Sequence, residues 1–524
     1  MEHLGQELAR SSARVKVDTR FGPVIGGRAI NGAAVFLEVP YGLPPGRFEN
    51  PVPLPPSFRY EQKEYIHENL YAAQPTVDGQ AAGVPWESKV GLGQPTENPF
   101  FVNIVAPPSF PTRSNFPVRV YIHGGFLQFG SPHGLSGTAQ FVSAERSEVW
   151  VNIGYRLSAF GFLACDQPQI EGNFGFKDQW LALEWVKEHI QAFGGNPEDI
   201  QLTGLSAGAH SVHQLLHYAS RLPPGAVAPF RSAILQSNGI AANPKPPGQL
   251  RPQYQALCRA LKLDPDAPDT LSILRDPIRT PWQSITELID SESLGAYGTF
   301  RGCLDGNWLP DTPDPMTWQR TGGLARGFLE HGVRSVVIGD LSEEWFSYAM
   351  AHPITEQKDI LQNLERYYPD GIAERMIECY GNMPDGSKTA ELQDWFGLVL
   401  SAGQVHLPVR LLHRDLWRAG FPVLRYAIEW TPEQWRPEGY VTHGTDRPLW
   451  AFLTPVLRPA QIDVARAWLT AVDRELAKIE GVEKSEHGVT EVLTLQEDKT
   501  ILWKEDGRWE DVMALRKALP GEGD

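Results

Sequence analysis

The feature that most constrains this chain is a five-residue run, Gly204-Leu205-Ser206-Ala207-Gly208, set between a β-branched stretch at 200–203 and an apolar helical run carrying Val212, Leu215 and Leu216. Glycines two residues either side of a serine let the backbone turn sharply from strand to helix and expose the hydroxyl. The helix N-terminus then offers N–H groups to a developing oxyanion. A turn of this kind belongs at the end of a sheet strand covered by helices. Runs at 119–122, 149–153, 200–203, 233–236, 335–338 and 423–426 are almost continuously apolar, as expected of strands buried on both faces. Between two of them, Ala182, Val186 and Ile190 recur four apart with Leu181 and Trp185 beside them, predicting a helix over 178–190 that stops at Gly194-Gly195. Strand and helix in alternation predict an α/β fold with a central, mostly parallel twisted sheet flanked by helices.

The first third, dense in Pro and Gly, reads as short strands and turns. Residues 240–330 and 345–420 read as a helical insertion around the mouth of the site, because strands resume at 335 and 423. The expected organisation is an N-terminal extension over 1–14 and a single catalytic domain over 15–515.

Composition removes several function classes. Among 524 residues, Lys+Arg number 47 and Asp+Glu 63, a net charge of −16 that disfavours nucleic acid and anionic membrane surfaces as partners. The 16 Trp, 23 Phe and 15 Tyr are too many for a disordered acidic chain. Four scattered cysteines offer neither a disulfide framework nor a zinc spacing. The first 15 residues hold no apolar run like a secretory signal, no stretch is apolar enough to span a membrane, and no Asn-x-Ser/Thr acceptor occurs. Together these predict a cytoplasmic protein without an integral membrane segment. His67-Glu68-Asn69-Leu70-Tyr71 lacks the second histidine of a zinc-protease helix, and no phosphate-binding G-x-x-x-x-G-K-[ST] run occurs. No cofactor or metal is expected, and the expected partner is a small-molecule ester or acyl substrate. Oligomeric state leaves no sign in the sequence.

After the run ending at Ile122 stands His123-Gly124-Gly125-Phe126, whose glycines allow backbone N–H groups to approach a substrate oxygen. Elsewhere in the chain stand Phe36-Leu37-Glu38-Val39-Pro40-Tyr41, Asn152-Ile153-Gly154-Tyr155-Arg156-Leu157, Ala192-Phe193-Gly194-Gly195-Asn196-Pro197 and Asp305-Gly306-Asn307-Trp308-Leu309-Pro310. With these segments the chain resembles, over about residues 15–450, the type-B carboxylesterase/lipase (cholinesterase-like) branch of the α/β-hydrolases.

The resemblance implies the α/β-hydrolase fold and hydrolysis of carboxylic esters through an acyl-serine. Ser206 would be the nucleophile. The acid would lie five residues past Gly339, at Glu344, with Glu343 as the alternative, and the base would be His443 in Tyr440-Val441-Thr442-His443-Gly444-Thr445-Asp446. The oxyanion hole would be the N–H groups of Gly125, Phe126 and Ala207, with Gly124 lining it. Asp446 is expected to support its loop, and His210, His213 and His217 to be structural. The same triad could serve an acyl-transferring or lactone-forming enzyme, and the family also contains binding proteins that have lost the triad.

Three departures from the family pattern stand out. Leu205 replaces a common Glu, and Pro99 stands where secreted members carry a disulfide cysteine. Phe126 replaces a Gly or Ala and is expected to crowd the pocket near the scissile carbonyl.

Overall fold

A computed structural model describes residues 1–76, 84–481 and 486–523. Its principal sheet comprises, among the described residues, twelve strands, here numbered in chain order. They are β1 (Arg14–Thr19), β2 (Gly22–Arg28), β3 (Ala34–Pro40), β4 (Phe101–Ala106), β5 (Phe116–Ile122), β6 (Val149–Ile153), β7 (Gly195–Leu205), β8 (Ser232–Gln236), β9 (Ser335–Leu341), β10 (Val423–Ile428), β11 (Glu491–Leu495) and β12 (Ile501–Glu505). Across the sheet they run β1-β2-β3-β4-β6-β5-β7-β8-β9-β10-β11-β12. Every ladder from β6 to β11 is parallel, and the flanking ladders are antiparallel. The exchange of β5 and β6 is the crossover through which the chain turns back over the sheet.

The apolar runs become strands because both faces of the sheet are covered. All residues of β6, β8 and β9 are buried. On β9, Val336 and Ile338 enter one core cluster, while Val337 and Leu341 enter the cluster on the opposite face. That alternation within a continuous apolar run is the signature of a two-sided sheet.

The predicted helix over 178–190 is α1 (Phe174–His189), which begins earlier because Phe174 and Phe176 extend its buried face. After β7 comes α2 (Ala207–Ala219). Residues 240–330 and 345–420 are predominantly helical. Among the described residues no helix is long and apolar enough to cross a membrane.

Packed structure reaches beyond the boundaries of 15 and 515. Helix Leu4–Arg10 seats the fully buried Leu8 in the core, and the Gly5 N–H donates to Glu68 Oε1 at 3.0 Å. At the other end Arg414 grips the buried Glu522 carboxylate through two hydrogen bonds of 2.7 and 2.8 Å.

Candidate active site

The geometry starts at the β7–α2 turn. Ser206 has φ +60° and ψ −128°, a strained conformation held by its N–H donating to the Gln236 carbonyl on β8 at 2.8 Å. The flanking glycines are required by close approach. A Cβ on Gly204 would lie 2.3 Å from the Gly208 carbonyl carbon, and one on Gly208 would lie 2.1 Å from the Ile122 carbonyl oxygen at the end of β5. We expect Gly208→Ala to destabilise the fold by about 2–4 kcal/mol, because the obstacle is backbone. A urea melt with an unshifted midpoint would contradict this packing.

β9 ends at Leu341 and the chain turns directly into helix Trp345–Ala349, with Glu344 at its start. Glu344 is fully buried. Its Oε1 accepts the Leu341 N–H at 3.0 Å, and its Oε2 lies 2.6 Å from Nδ1 of His443. Glu343 points elsewhere: its Oε2 accepts the Val441 N–H at 2.7 Å, bracing the strand of backbone that leads to the histidine. Thr442 Oγ1 ties the same loop to the Glu344 carbonyl at 3.3 Å and to Ser347 Oγ at 3.1 Å. The Tyr348 ring packs edge-on against the imidazole at 5.0 Å between centroids. His443 Nε2 is buried and has no hydrogen-bond partner among the described residues. Ser206 and His443 line one cavity of about 480 Å³ together with Gly124 and Gly125.

The glycine loop follows β5. The N–H groups of Gly125 and Phe126 donate to nothing among the described residues, and that of Ala207 opens α2. His123 braces the loop from behind: it stacks on Tyr155 at 4.6 Å and donates from Nδ1 to the Gly124 carbonyl at 2.9 Å. Burial pushes its pKa down to about 4, so it is neutral at pH 7.

Phe126, with φ +55°, lies among aromatic neighbours and is not one of the residues that line the Ser206 cavity. Its ring meets Phe129 at 6.2 Å, Tyr348 at 6.0 Å and Tyr367 at 6.0 Å. Leu205, in the position where a Glu is common, is part of the cavity wall and packs with the core. Tyr348, Phe129 and Trp435 escaped sequence reading because no local pattern separates them from ordinary core aromatics.

His213 bonds Gln319 Oε1 at 2.9 Å and accepts the Ile240 N–H at 3.0 Å, and it stacks on His217 at 5.0 Å. Burial holds His210, His213 and His217 below the usual imidazole range. Among the described residues, no three His, Cys, Asp or Glu side chains cluster as metal ligands do.

Asp446 is fully buried and accepts from Trp450 Nε1 at 2.9 Å through Oδ2, while Oδ1 has no partner among the described residues. Desolvation, with the nearby Glu344 charge, pushes its pKa up to about 6 from 3.8. A carboxyl raised in the folded state stabilises fully below the unfolded pKa and loses that contribution as pH rises through the folded one. Asp446→Asn keeps an acceptor for Trp450 but does not ionise. Its stability relative to the parent is therefore expected to rise by about 1–2 kcal/mol between pH 5 and 7.5, read from urea melts at both values. A gap that does not change with pH contradicts the shift.

A sequence profile described as the Carboxylesterase family matches residues 13–479. Similar proteins include an uncharacterised esterase/lipase of Schizosaccharomyces pombe, 29% identical over 450 residues that cover 81% of each chain. A carboxylic ester hydrolase of Gibberella moniliformis is 31% identical over 449 residues, covering 79% of this chain and 78% of the relative. Carboxylesterase 1D of Rattus norvegicus is 27% identical over 454 residues, covering 81% and 77%. A profile spanning nearly the whole chain and a sheet of the matching architecture lead to one conclusion: this chain belongs to the carboxylesterase family.

Proposed function

We propose that the protein is a serine esterase that cleaves carboxylic esters through an acyl-enzyme on Ser206. The observation that carries the reading is the 2.6 Å contact between Glu344 Oε2 and His443 Nδ1, with Nε2 left free beside the cavity that holds Ser206. His443 takes the Ser206 proton through Nε2 as Oγ attacks the ester carbonyl carbon, and Glu344 stabilises the imidazolium and holds its tautomer. The carbonyl oxygen, now negative, receives the N–H groups of Gly125, Phe126 and Ala207, with Gly124 lining the hole. The imidazolium then protonates the departing alkoxide. Water, deprotonated by the same imidazole, attacks the acyl carbon and frees the acid.

The test is to treat the protein with a fluorophosphonate, map the adduct by peptide mass spectrometry, and follow an aryl ester whose acyl chain carries a free hydroxyl. The expected result is a single adduct on Ser206 and the free hydroxy acid as product. An adduct elsewhere removes Ser206 from its role, and a lactone product replaces hydrolysis with internal acyl transfer on the same serine.

A further inference from the structure

A second, smaller cavity of about 70 Å³ lies in the helical insertion, and Tyr367, which packs on Phe126, lines it. Phe126 also touches Phe129, which lines the Ser206 cavity, so its ring packs against one lining residue of each space. His210, one helical turn after the nucleophile, also lines the smaller cavity.

Its charge is unusual for this chain. Against a net charge of −16, the lining holds Arg301, Arg366 and Lys245 and, among the described residues, no Asp or Glu. Two of these cations are engaged: Arg366 pairs with Glu292 at 2.9 Å, and Lys245 donates to the Glu365 carbonyl at 2.8 Å. Arg301 is different. Its nearest polar partner is the neutral Gln404 Oε1 at 3.3 Å, its guanidinium lies over the Tyr367 ring at 5.1 Å, and among the described residues no carboxylate comes within 4.0 Å.

The buried Arg156, Arg410 and Arg414 are neutralised directly, by Asp178, Asp340 and Glu522. Arg301 is half-buried, and a partly desolvated cation without an anion carries a cost that is offset when a ligand brings the missing charge. Burial lowers the Arg301 pKa, although a guanidinium remains charged near neutrality. Burial also holds His210 neutral at pH 7, so it supplies a hydrogen-bonding nitrogen without a second charge.

We propose that this cavity is an anion-binding subsite in which Arg301 grips the carboxylate of a substrate that carries one beyond its scissile ester. The substrate class is thus the half-ester of a dicarboxylic acid or the ester of a hydroxy acid. The assignment deepens the serine-esterase reading and rests on it. A bidentate guanidinium–carboxylate contact suits a cavity of this size, and the Tyr367 face holds the guanidinium plane.

The experiment compares kcat/KM for matched esters on the parent protein and on Arg301→Gln and Arg301→Lys. One pair is mono-4-nitrophenyl glutarate against 4-nitrophenyl pentanoate, placing the carboxylate on the acyl side. The other is 4-acetoxybenzoate against phenyl acetate, placing it on the alcohol side. In at least one pair the parent is expected to favour the anionic ester by about 10- to 100-fold. Arg301→Gln brings that ratio near one, and Arg301→Lys keeps part of it. The side showing the preference is the side the subsite serves. No preference in either pair, or a preference that survives Arg301→Gln, overturns the proposal.

Calorimetric titration with glutarate separates this failure from that of the esterase reading. Glutarate binding that disappears in Arg301→Gln, in a protein that neither labels nor turns over, leaves the subsite standing without the chemistry. Turnover of neutral esters without glutarate binding or anionic preference leaves the chemistry without the subsite.

Discussion

Replacing Ser206 by Ala is expected to lower kcat for an aryl ester by about 10⁵- to 10⁶-fold and to abolish fluorophosphonate labelling, the size of loss seen when a triad nucleophile is removed. What remains comes from binding and the oxyanion N–H groups, which still polarise the carbonyl for attack by water. The substitution removes one oxygen at a residue only 7% exposed, and the backbone strain at φ +60° is the same for Ala as for Ser. Its unfolding midpoint should therefore stay within about 2 °C of the parent. Residual activity above about 1% of the parent, in protein shown to be folded, would place the nucleophile elsewhere.

Next in size is the loss of the acid. Glu344→Gln substitutes a neutral amide opposite His443 Nδ1, so the imidazolium loses its counter-charge and the ring its enforced tautomer. The expected fall in kcat is about 10³- to 10⁴-fold, with a small change in KM, because the interaction strengthens only as positive charge develops on the ring. Glu343→Gln is the informative control. Its carboxylate accepts the Val441 N–H, a bond the amide oxygen of glutamine can also accept, so the expected loss is less than about tenfold. The pair of variants separates adjacent carboxylates by rate, and a large loss confined to Glu343→Gln would reverse the assignment.

Much of the scaffold was legible in order along the chain. The nearly continuous apolar runs at 149–153, 233–236, 335–338 and 423–426 all became strands of one sheet, since a segment covered on both faces can be apolar without alternation. Strand limits were less legible. β9 runs on to Leu341 and contains Asp340, which a sequence reading ends before because a charge looks like a loop. The structure supports that carboxylate with Arg410 at 2.9 Å and His406 at 2.6 Å, partners found 70 and 66 residues away. Strands β1–β4 were legible only as short strands and turns in a Pro- and Gly-rich region, and β11 and β12 were not read from the sequence.

The α/β alternation and the strand–turn–helix at Ser206 were legible in periodicity and spacing, which are local properties that local physics imposes, while the acidic pair Glu343-Glu344 and His443 were picked out by the family resemblance. Tertiary structure decided which of two adjacent carboxylates reaches His443, because consecutive residues at a helix start point in different directions. It also decided which rings Phe126 packs against, those of Phe129, Tyr348 and Tyr367. And it brought Arg301 into a cavity with Lys245 and Arg366 and no carboxylate among the described residues. That balance of charge exists only once segments far apart in the chain line the same small volume, where water screens them less.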